Sequence, residues 1–238
     1  MNSQLSWSWL GTQPYEQTRL QQVEYRREVI DRHQPETIWL LEHLPVITTG
    51  RRPVPDLPSA SALQEQGIAL HQSERGGLAT YHGPGQLIAY AIVDAGTRKI
   101  GVRGTICAME AGVIALLSTL GICAHRRPGY PGVWVGKDKI CAVGMHFRRG
   151  VSMHGIALNL DPDLRGFDLI VPCGIKDGSI TSVAKLLGSA PSPQDVAPIL
   201  GPILVRKLDE RTANVRQDCA TRLTSGEPED SSAPLPGT

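Results

Sequence analysis

Apolar residues recur along this chain with two different periods, which predict helices in some stretches and strands in others. Residues 14–32 carry apolar side chains among glutamines and charges at the spacing of one helix face, and residues 105–120 keep that spacing more strictly. Gly121 suits the end of the second helix. Further helices are predicted at 61–66, at 180–188 and from 192 onward, where Pro198 and Pro202 imply that the regular part of the helix begins late.

Short apolar runs bounded by turn residues predict strands. They cover residues 37–42, 46–49, 87–93, 131–135, 139–147 and 151–160. The last three are joined by the short turns 136–138 and 148–150, so they form consecutive hairpins that place Lys139 near the cleft end of a sheet. The apolar run 167–170 is interpreted as the end of another buried strand.

Helices and strands in a chain of 238 residues predict a single α/β domain. We expect it to span residues 1–222. Residues 223–238 are mainly Gly, Pro, Ser and acids with almost nothing to bury, which predicts a disordered tail. No run approaches the ~20 apolar residues that span a bilayer, and the N-terminus lacks the pattern of a signal or transit peptide. We therefore expect a cytoplasmic protein without membrane contact.

The net charge and the cysteine content bear on which partners and which structural sites are expected. A formal net charge of +1 argues against nucleic acid as the main partner. Five cysteines without a C-x-x-C pair or regular spacing predict neither a disulfide framework nor a zinc site. Four arginine pairs stand at 26–27, 51–52, 126–127 and 148–149. If several converge on one face they would attract an acidic protein; otherwise they are solvated charges.

One short run, residues 171–175, holds a candidate nucleophile. Cys173 stands between Pro172, which fixes its own φ, and Gly174, which has no Cβ, so the loop can hold the thiol rigidly toward a cleft. Lys139 begins an apolar segment, and an ammonium beside a thiol favours the thiolate. The alternatives remain open, because free cysteines are usually buried as small hydrophobes and lone lysines are usually solvated.

A glycine-rich stretch, residues 75–86, is the second candidate site. Four glycines and a proline let the backbone approach a ligand closely, and Arg75, Tyr81 and His82 accompany them. The same Gly-Pro-Gly chemistry also suits a simple hairpin turn. His146 and His154 are either ligands or ordinary strand histidines. No third metal ligand stands at a characteristic spacing, so no metal site is predicted.

Taken together, these motifs resemble the lipoyl(octanoyl) transferases. The resemblance runs from about residue 39 to 183, within an expected family core of 37–188. Its motifs lie, in the family's order, at residues 42–46, 49–51, 75–77, 80–86, 136–139 with Gly144, 149–151, 154–159 and 172–175. The chain departs from the pattern at Leu44, where a second proline is common, at Cys141, where alanine is common, and in its extended tail.

The resemblance implies a mixed sheet flanked by helices, as in biotin and lipoate ligases, and octanoyl transfer as the first step of endogenous protein lipoylation. The donor would be acyl carrier protein, and the acceptors would be lipoyl domains of 2-oxoacid dehydrogenase E2 subunits and glycine cleavage H protein. Cys173 would carry the acyl-thioester, Lys139 would lower its pKa, and neither ATP nor metal would be needed. Substrate contacts would fall on Arg75, Gly76, Gly77, Leu78, Ala79, Thr80, Tyr81, His82, Ala142, Val143, Gly144, Gly155, Ile156 and Ala157.

Residue chemistry agrees with these roles and leaves two rivals. Leu78, Val143, Ile156 and Leu158 suit an apolar pocket for an eight-carbon chain, at ~0.8 kcal/mol per buried CH₂. One rival is an ATP-dependent lipoate or biotin ligase, which shares the fold but has no use for a thiol nucleophile. The other is a protein that binds acyl chains or acyl carriers without chemistry.

Overall fold

The computed structural model of the chain describes residues 5–54, 57–170 and 178–210. Ten strands are present in these residues: β1 (Ser6–Gln13), β2 (Thr37–His43), β3 (Val46–Thr49), β4 (Ala69–Gln72), β5 (Ala79–His82), β6 (Gln86–Ile92), β7 (His125–Arg127), β8 (Tyr130–Val135), β9 (Asp138–Arg148) and β10 (Val151–Asn159). Seven form a mixed sheet in the order β1-β2-β6-β10-β9-β8-β7, in which only β1 and β2 run parallel. The other three form a small sheet, β4-β3-β5.

Helices cover both faces of the seven-stranded sheet. Their bounds are α1 (Tyr15–Ile30), α2 (Ala60–Gln64), α3 (Gly101–Thr119), α4 (Val183–Leu187) and α5 (Pro193–Asp209). α3 and α5 pack against each other and share the main apolar core with the sheet. Their approach is close, because a Cβ added at Gly112 would stand 2.5 Å from Leu204 Cδ2. α1 contacts β6 and β10. The predicted single-domain α/β architecture is confirmed.

One expectation about a helix needs correction. α5 does not begin late: it starts directly after its N-cap Ser192 and continues through Pro198 and Pro202. Its buried side chains outweigh the backbone hydrogen bonds that the two prolines cannot donate. α3 is long and apolar enough, by length and composition alone, to cross a membrane. Half of that stretch is buried inside the fold, and a buried core helix can have the same length and apolar composition as a membrane-spanning one.

The segment before residue 171 is not a strand. Asp163 accepts a hydrogen bond from Arg165 N and begins a 3₁₀ turn, Leu164–Phe167. Phe167 and Ile170 then pack into a second apolar core beneath the small sheet. Apolar side chains three residues apart fit a 3₁₀ turn as well as the end of a strand. The short apolar run 167–170 could therefore not distinguish the two from sequence.

Among the described cysteines, the exposed Cys123 and the buried Cys141 are free thiols.

Candidate active site

A cavity of about 420 Å³ lies between the small sheet and the centre of the large sheet. This volume is in the usual range for small-molecule pockets. Strands β5, β6, β9 and β10 contribute to its wall, as do the loop 75–78 and the segment around residue 180. It is lined by Tyr15, Arg52, Arg75, Gly76, Gly77, Leu78, Ala79, Thr80, His82, Tyr90, Ile106, Gly129, Tyr130, Pro131, Lys139, Ala142, Val143, Gly144, Met145, His154, Gly155, Ile156, Ala157, Asn159, Phe167, Ile170 and Ile180.

Small residues in register create the space. Gly144 pairs with Gly155, and Ala142 pairs with Ala157, across β9 and β10. Because paired residues of a sheet point to the same face, two neighbouring pairs without large side chains leave a hollow on that face. A Cβ at Gly155 would stand only 1.9 Å from Ala89 O, so this position also lets β6 and β10 approach each other.

A β-bulge places Lys139 in the cavity. β8 and β9 shift register there, since Val133 pairs with Cys141 but Trp134 pairs with Lys139. The extra residue on β9 reverses the side-chain alternation, so that Lys139 and Ala142, three positions apart, both line the cavity. The lysine is 9% exposed, and its Nζ stands 4.7 Å from the Trp134 ring centroid. Its ammonium is therefore drawn inward, as the sequence predicted.

Backbone hydrogen bonds clamp the main chain of Lys139. Its N donates to Ser179 O (2.9 Å), and its O accepts from Thr181 N (3.0 Å). Asp138 Oδ1 in turn accepts from Ser179 N (2.8 Å). Lys139 is thus tied to the chain that directly follows residues 171–177.

The glycine-rich stretch divides into two parts. Residues 75–80 and His82 line the cavity, whereas Gly83, Pro84 and Gly85 form a turn outside it. Gly85 has a φ of +83°, and a Cβ there would stand 2.2 Å from Asp161 O. Its N donates to Glu42 Oε1 (2.7 Å). Both interpretations of this stretch hold: the first half faces the cavity, and the second half is a packed hairpin.

Arg75 combines a cavity position with a structural role. The side chain is 7% exposed, and its Nη2 donates to Thr48 O (2.6 Å) and Thr48 Oγ1 (2.9 Å). Its Nη1 donates to Gly76 O (3.0 Å), while Gly76 N donates to Met145 O (3.1 Å). The guanidinium therefore anchors the loop to β3, and Gly76 anchors the same loop to β9.

Two neutral histidines stand near the cavity. His43 Nδ1 donates to Gln13 O (2.8 Å), so its Nε2 accepts from the Tyr90 hydroxyl (2.7 Å). His82 Nδ1 is 2.6 Å from Gln86 Oε1. Burial lowers the pKa of His43 to about 4 and, together with the nearby His43, that of His82 to about 3. Both rings are uncharged at neutral pH.

His154 adopts a strained conformation at the cavity wall. Its φ is +61°, in the left-handed region that costs a side chain energy, and its N donates to Gln22 Oε1 (2.8 Å). Its Nε2 lies 3.6 Å from Glu74 Oε2, slightly beyond hydrogen-bond distance, and burial lowers the pKa of the His154 ring. Interaction with His154 lowers the pKa of Glu74 to about 2 despite partial burial.

Nearly all the expected site residues described by the structure come together. Lys139 and every expected substrate-contacting residue except Tyr81 line the cavity. Tyr81 packs against Phe167 in the second core, and Leu158 faces the main core. Cys173 lies outside the described residues, but Ile170 and Ile180 on either side of its segment line the cavity.

Sequence reasoning missed several lining residues. Tyr15, Tyr90, Ile106, Asn159 and Phe167 were not proposed as site residues, although all five line the cavity. A buried hydroxyl inside the apolar run of β6 was the available signal for Tyr90. Within the described ranges, no three His, Cys, Asp or Glu side chains are grouped as metal ligands. The expectation of a metal-free site remains a prediction.

Comparison with known proteins identifies the fold and the family. Residues 13–202 match the family model of the lipoyl protein ligase A/B catalytic domain. The chain belongs to this family. A curated octanoyltransferase from Chloroflexus aurantiacus is 48% identical over 167 residues, covering 68% of this chain and 75% of the relative. One from Chromohalobacter salexigens is 39% identical over 202 residues, covering 85% and 90%.

Among solved structures, a bi-partite lipoate protein ligase from Thermoplasma acidophilum superposes with a TM-score of 0.63 at 17% identity, covering 94% of this chain and 92% of that one. At that identity the likeness concerns the fold alone. The sequence relatives carry the enzyme class: this member of the family is an acyltransferase of the octanoyltransferase type, which confirms the resemblance drawn from the motifs.

Proposed function

We propose that the chain transfers an octanoyl group from octanoyl-acyl carrier protein to a lysine of lipoyl-domain proteins, through a thioester on Cys173. The observation that carries this proposal is the position of Lys139, a buried cation at one side of a largely apolar cavity, clamped to the chain that follows residues 171–177. That arrangement supplies an acyl-chain site and an ammonium that favours a nearby thiolate.

In the first half-reaction, the Cys173 thiolate attacks the thioester carbonyl of the donor. The new carbon–sulfur bond forms as the carbon–sulfur bond to the pantetheine thiolate breaks, and that thiolate takes a proton from the Lys139 ammonium. Thioester exchange needs little more than an ionised, positioned sulfur and donors for the developing oxyanion.

In the second half-reaction, the neutral amine of the acceptor lysine attacks the acyl-Cys173 carbonyl. An amide bond forms, the Cys173 thiolate leaves, and the proton released from the amine passes to neutral Lys139. The thiolate and ammonium are thereby regenerated, so the cycle closes without ATP or a metal ion. Lys139 acts as general acid in one half and general base in the other.

The cationic surface, formed by the exposed Arg27, Arg51, Arg52, Arg148 and Arg149, supports an acidic donor protein. Arg26, Arg27, Arg148 and Arg149 line one groove between α1 and the β9–β10 turn, together with Glu24 and Asp31. Arg52 lines the acyl cavity itself. None of the five forms an ion pair with a carboxylate in the described part of the chain. Unpaired surface cations speed the approach of an acidic partner.

The fourth arginine pair is already engaged within the fold. Arg126 donates to Glu110 Oε2 (3.0 Å), and Arg127 lies over the Tyr130 ring at 4.6 Å. Arg26 is engaged as well, because it is buried with its Nη1 2.8 Å from His146 Nδ1. The exposed Arg27, Arg51, Arg52, Arg148 and Arg149 are therefore the arginines that would meet an acidic donor protein.

Intact-protein mass after mixing with octanoyl-acyl carrier protein, without ATP, tests the proposal. A single octanoyl adduct that maps to Cys173, that is absent in Cys173→Ser and that is discharged by a lipoyl domain is the expected result. Labelling of the lipoyl domain only from free octanoate and ATP would instead mean a ligase. Binding of the donor without adduct or turnover would mean a non-catalytic acyl-binding protein.

A further inference from the structure

A line of buried amides joins the cavity wall to the strand that carries Lys139. His82 Nδ1 donates to Gln86 Oε1 (2.6 Å), and Gln86 Nε2 donates to Asn159 Oδ1 (2.8 Å). Asn159 Nδ2 donates to Thr181 O (3.0 Å), and Thr181 N donates to Lys139 O (3.0 Å). Four hydrogen bonds therefore connect the His82 ring to the main chain of Lys139.

The strand register makes this line possible. Gln86 and Asn159 are paired residues at the start of β6 and the end of β10, so their side chains share the cavity face. His82 and Gln86 stand on either side of the Gly83-Pro84-Gly85 turn. Two sequence motifs far apart in the chain, 80–86 and 154–159, thus meet through one amide–amide hydrogen bond.

Donor and acceptor chemistry fixes the direction of the line. Gln86 Nε2 also faces Tyr81 O (3.3 Å), so its amide cannot turn over without setting oxygen against oxygen. Gln86 Oε1 must then accept from His82 Nδ1, which leaves the His82 lone pair on Nε2. Gln86 is 1% exposed and Asn159 is 3% exposed, so an amide that loses its partner here is left without water to replace it.

The position of the Lys139 main chain depends on these hydrogen bonds, because one short segment, residues 179–181, pairs with it on that side. At the bulge its main chain bonds to Ser179 and Thr181. That segment is held by Asp138 at its exposed end and by Asn159 at its buried end. Without the Asn159 donor, Thr181 O loses its bond to β10, and the nearest remaining attachment is the Ala184 N to Leu160 O bond (2.9 Å), three residues further along.

We propose that Gln86 and Asn159 are positioning residues. Their amide pair holds the segment around Thr181, and this segment directs the Lys139 ammonium toward the reacting thiol. The same pair keeps the His82 ring in the tautomer whose Nε2 can accept a hydrogen bond. The inference rests on the proposed function of Lys139 and Cys173. Misplacing a catalytic group by about 1 Å costs on the order of 10²-fold in rate.

Asn159→Leu tests the proposal, with Ser152→Ala as its matched control. Ser152 is buried on the same strand, and its Oγ donates to Ala91 O (2.7 Å), away from the amide line. The readouts are the pH dependence of Cys173 alkylation by iodoacetamide, mapped by peptide mass, the kcat and KM for octanoyl transfer, and the thermal midpoint. Wild type and Lys139→Met define the two limits of the alkylation profile.

We expect Asn159→Leu to move the alkylation midpoint toward that of Lys139→Met and to lower kcat about 10²-fold with KM for the donor nearly unchanged. Ser152→Ala should keep the wild-type pH profile of Cys173 alkylation, even if its thermal midpoint falls as much as that of Asn159→Leu. If Asn159→Leu behaved like Ser152→Ala, the amide pair would be structural only. A wild type without an octanoyl adduct would overturn the proposed function, and this inference with it.

Asn159→Asp separates donation from packing. A protonated carboxyl can still accept from Gln86 and donate to Thr181 O, whereas the carboxylate cannot donate. Transfer by this variant, measured relative to wild type at each pH, should therefore fall as pH rises through the titration of the new carboxyl. A ratio that stays constant with pH would contradict the positioning role.

Discussion

Lys139 and Trp134 face each other across the β8–β9 bulge, with the ammonium 4.7 Å from the ring centroid. Trp134 is fully buried, and its Nε1 donates to Tyr130 O (3.2 Å), which fixes the ring plane. An aromatic face attracts a cation by about 0.5–2 kcal/mol. The ring thus provides a fixed contact for the ammonium on the cavity wall.

Replacing Trp134 should therefore lower the rate of octanoyl transfer, and more strongly when the replacement has no aromatic ring. Trp134→Phe keeps an aromatic face, whereas Trp134→Leu removes it, and we expect the leucine variant to have a kcat for octanoyl transfer about 10-fold below that of the phenylalanine variant. Both variants leave a cavity and should lose about 2 kcal/mol or more of unfolding free energy. Equal kcat values in the two variants would show that the ring only fills space.

Two glycines of the cavity wall should respond very differently to alanine. At Gly155 a Cβ would meet Ala89 O at 1.9 Å, whereas at Gly76 its nearest neighbour would be Met145 O at 3.7 Å. Gly155→Ala should lower the unfolding free energy by about 3 kcal/mol, because β6 and β10 must separate. Gly76→Ala should stay within about 1 kcal/mol of wild type in urea denaturation. Similar losses in both variants would contradict the close strand approach.

Stability should fall with acidification well before the carboxylates titrate. The pKa of His43 is lowered to about 4 and that of His82 to about 3, against 6.5 in the unfolded chain. Between pH 6.5 and 4 the unfolded chain binds protons that the folded chain does not. The free energy of unfolding therefore drops as pH falls, by about 1.4 kcal/mol per pH unit for each histidine.

Urea denaturation at pH 7, 6 and 5 measures this slope, and His43→Gln supplies its control. The variant is expected to be less stable at pH 7, because it loses the bonds to Gln13 and Tyr90. Its dependence on pH should nevertheless be shallower by about 1.4 kcal/mol per unit. A slope equal to that of wild type would mean that His43 is already charged in the folded protein.

Charge reversal on the cationic surface should affect only the protein-borne donor. We expect Arg148→Glu with Arg149→Glu to raise KM for octanoyl-acyl carrier protein about 10-fold at low salt, with kcat unchanged. KM for octanoyl-pantetheine, which lacks the carrier, should not move. Arg103→Glu with Arg206→Glu, two exposed changes on α3 and α5 that alter the net charge equally, serves as control. An equal rise in KM in both proteins would point to net charge instead of this surface.

Local pattern was sufficient for much of the architecture. The helix predicted at 14–32 is α1, and the three strands after residue 130 appear within a few residues of their expected bounds. Periodicity records which face of one element is buried, and this is a local property. The strands β1 and β4 were not predicted, because each is an edge strand held by a parallel partner that is distant in sequence.

The sequence by itself determined the family and predicted both the glycine-rich loop and Lys139 as site residues, because residue types at fixed spacing carry that chemistry. Only the tertiary structure decided that a bulge turns Lys139 to the face of Ala142, that Gly144 meets Gly155, and that Gln86 bonds to Asn159. These are pairings between separate strands. Their register is set by the packing of the whole sheet, which no local stretch of sequence specifies.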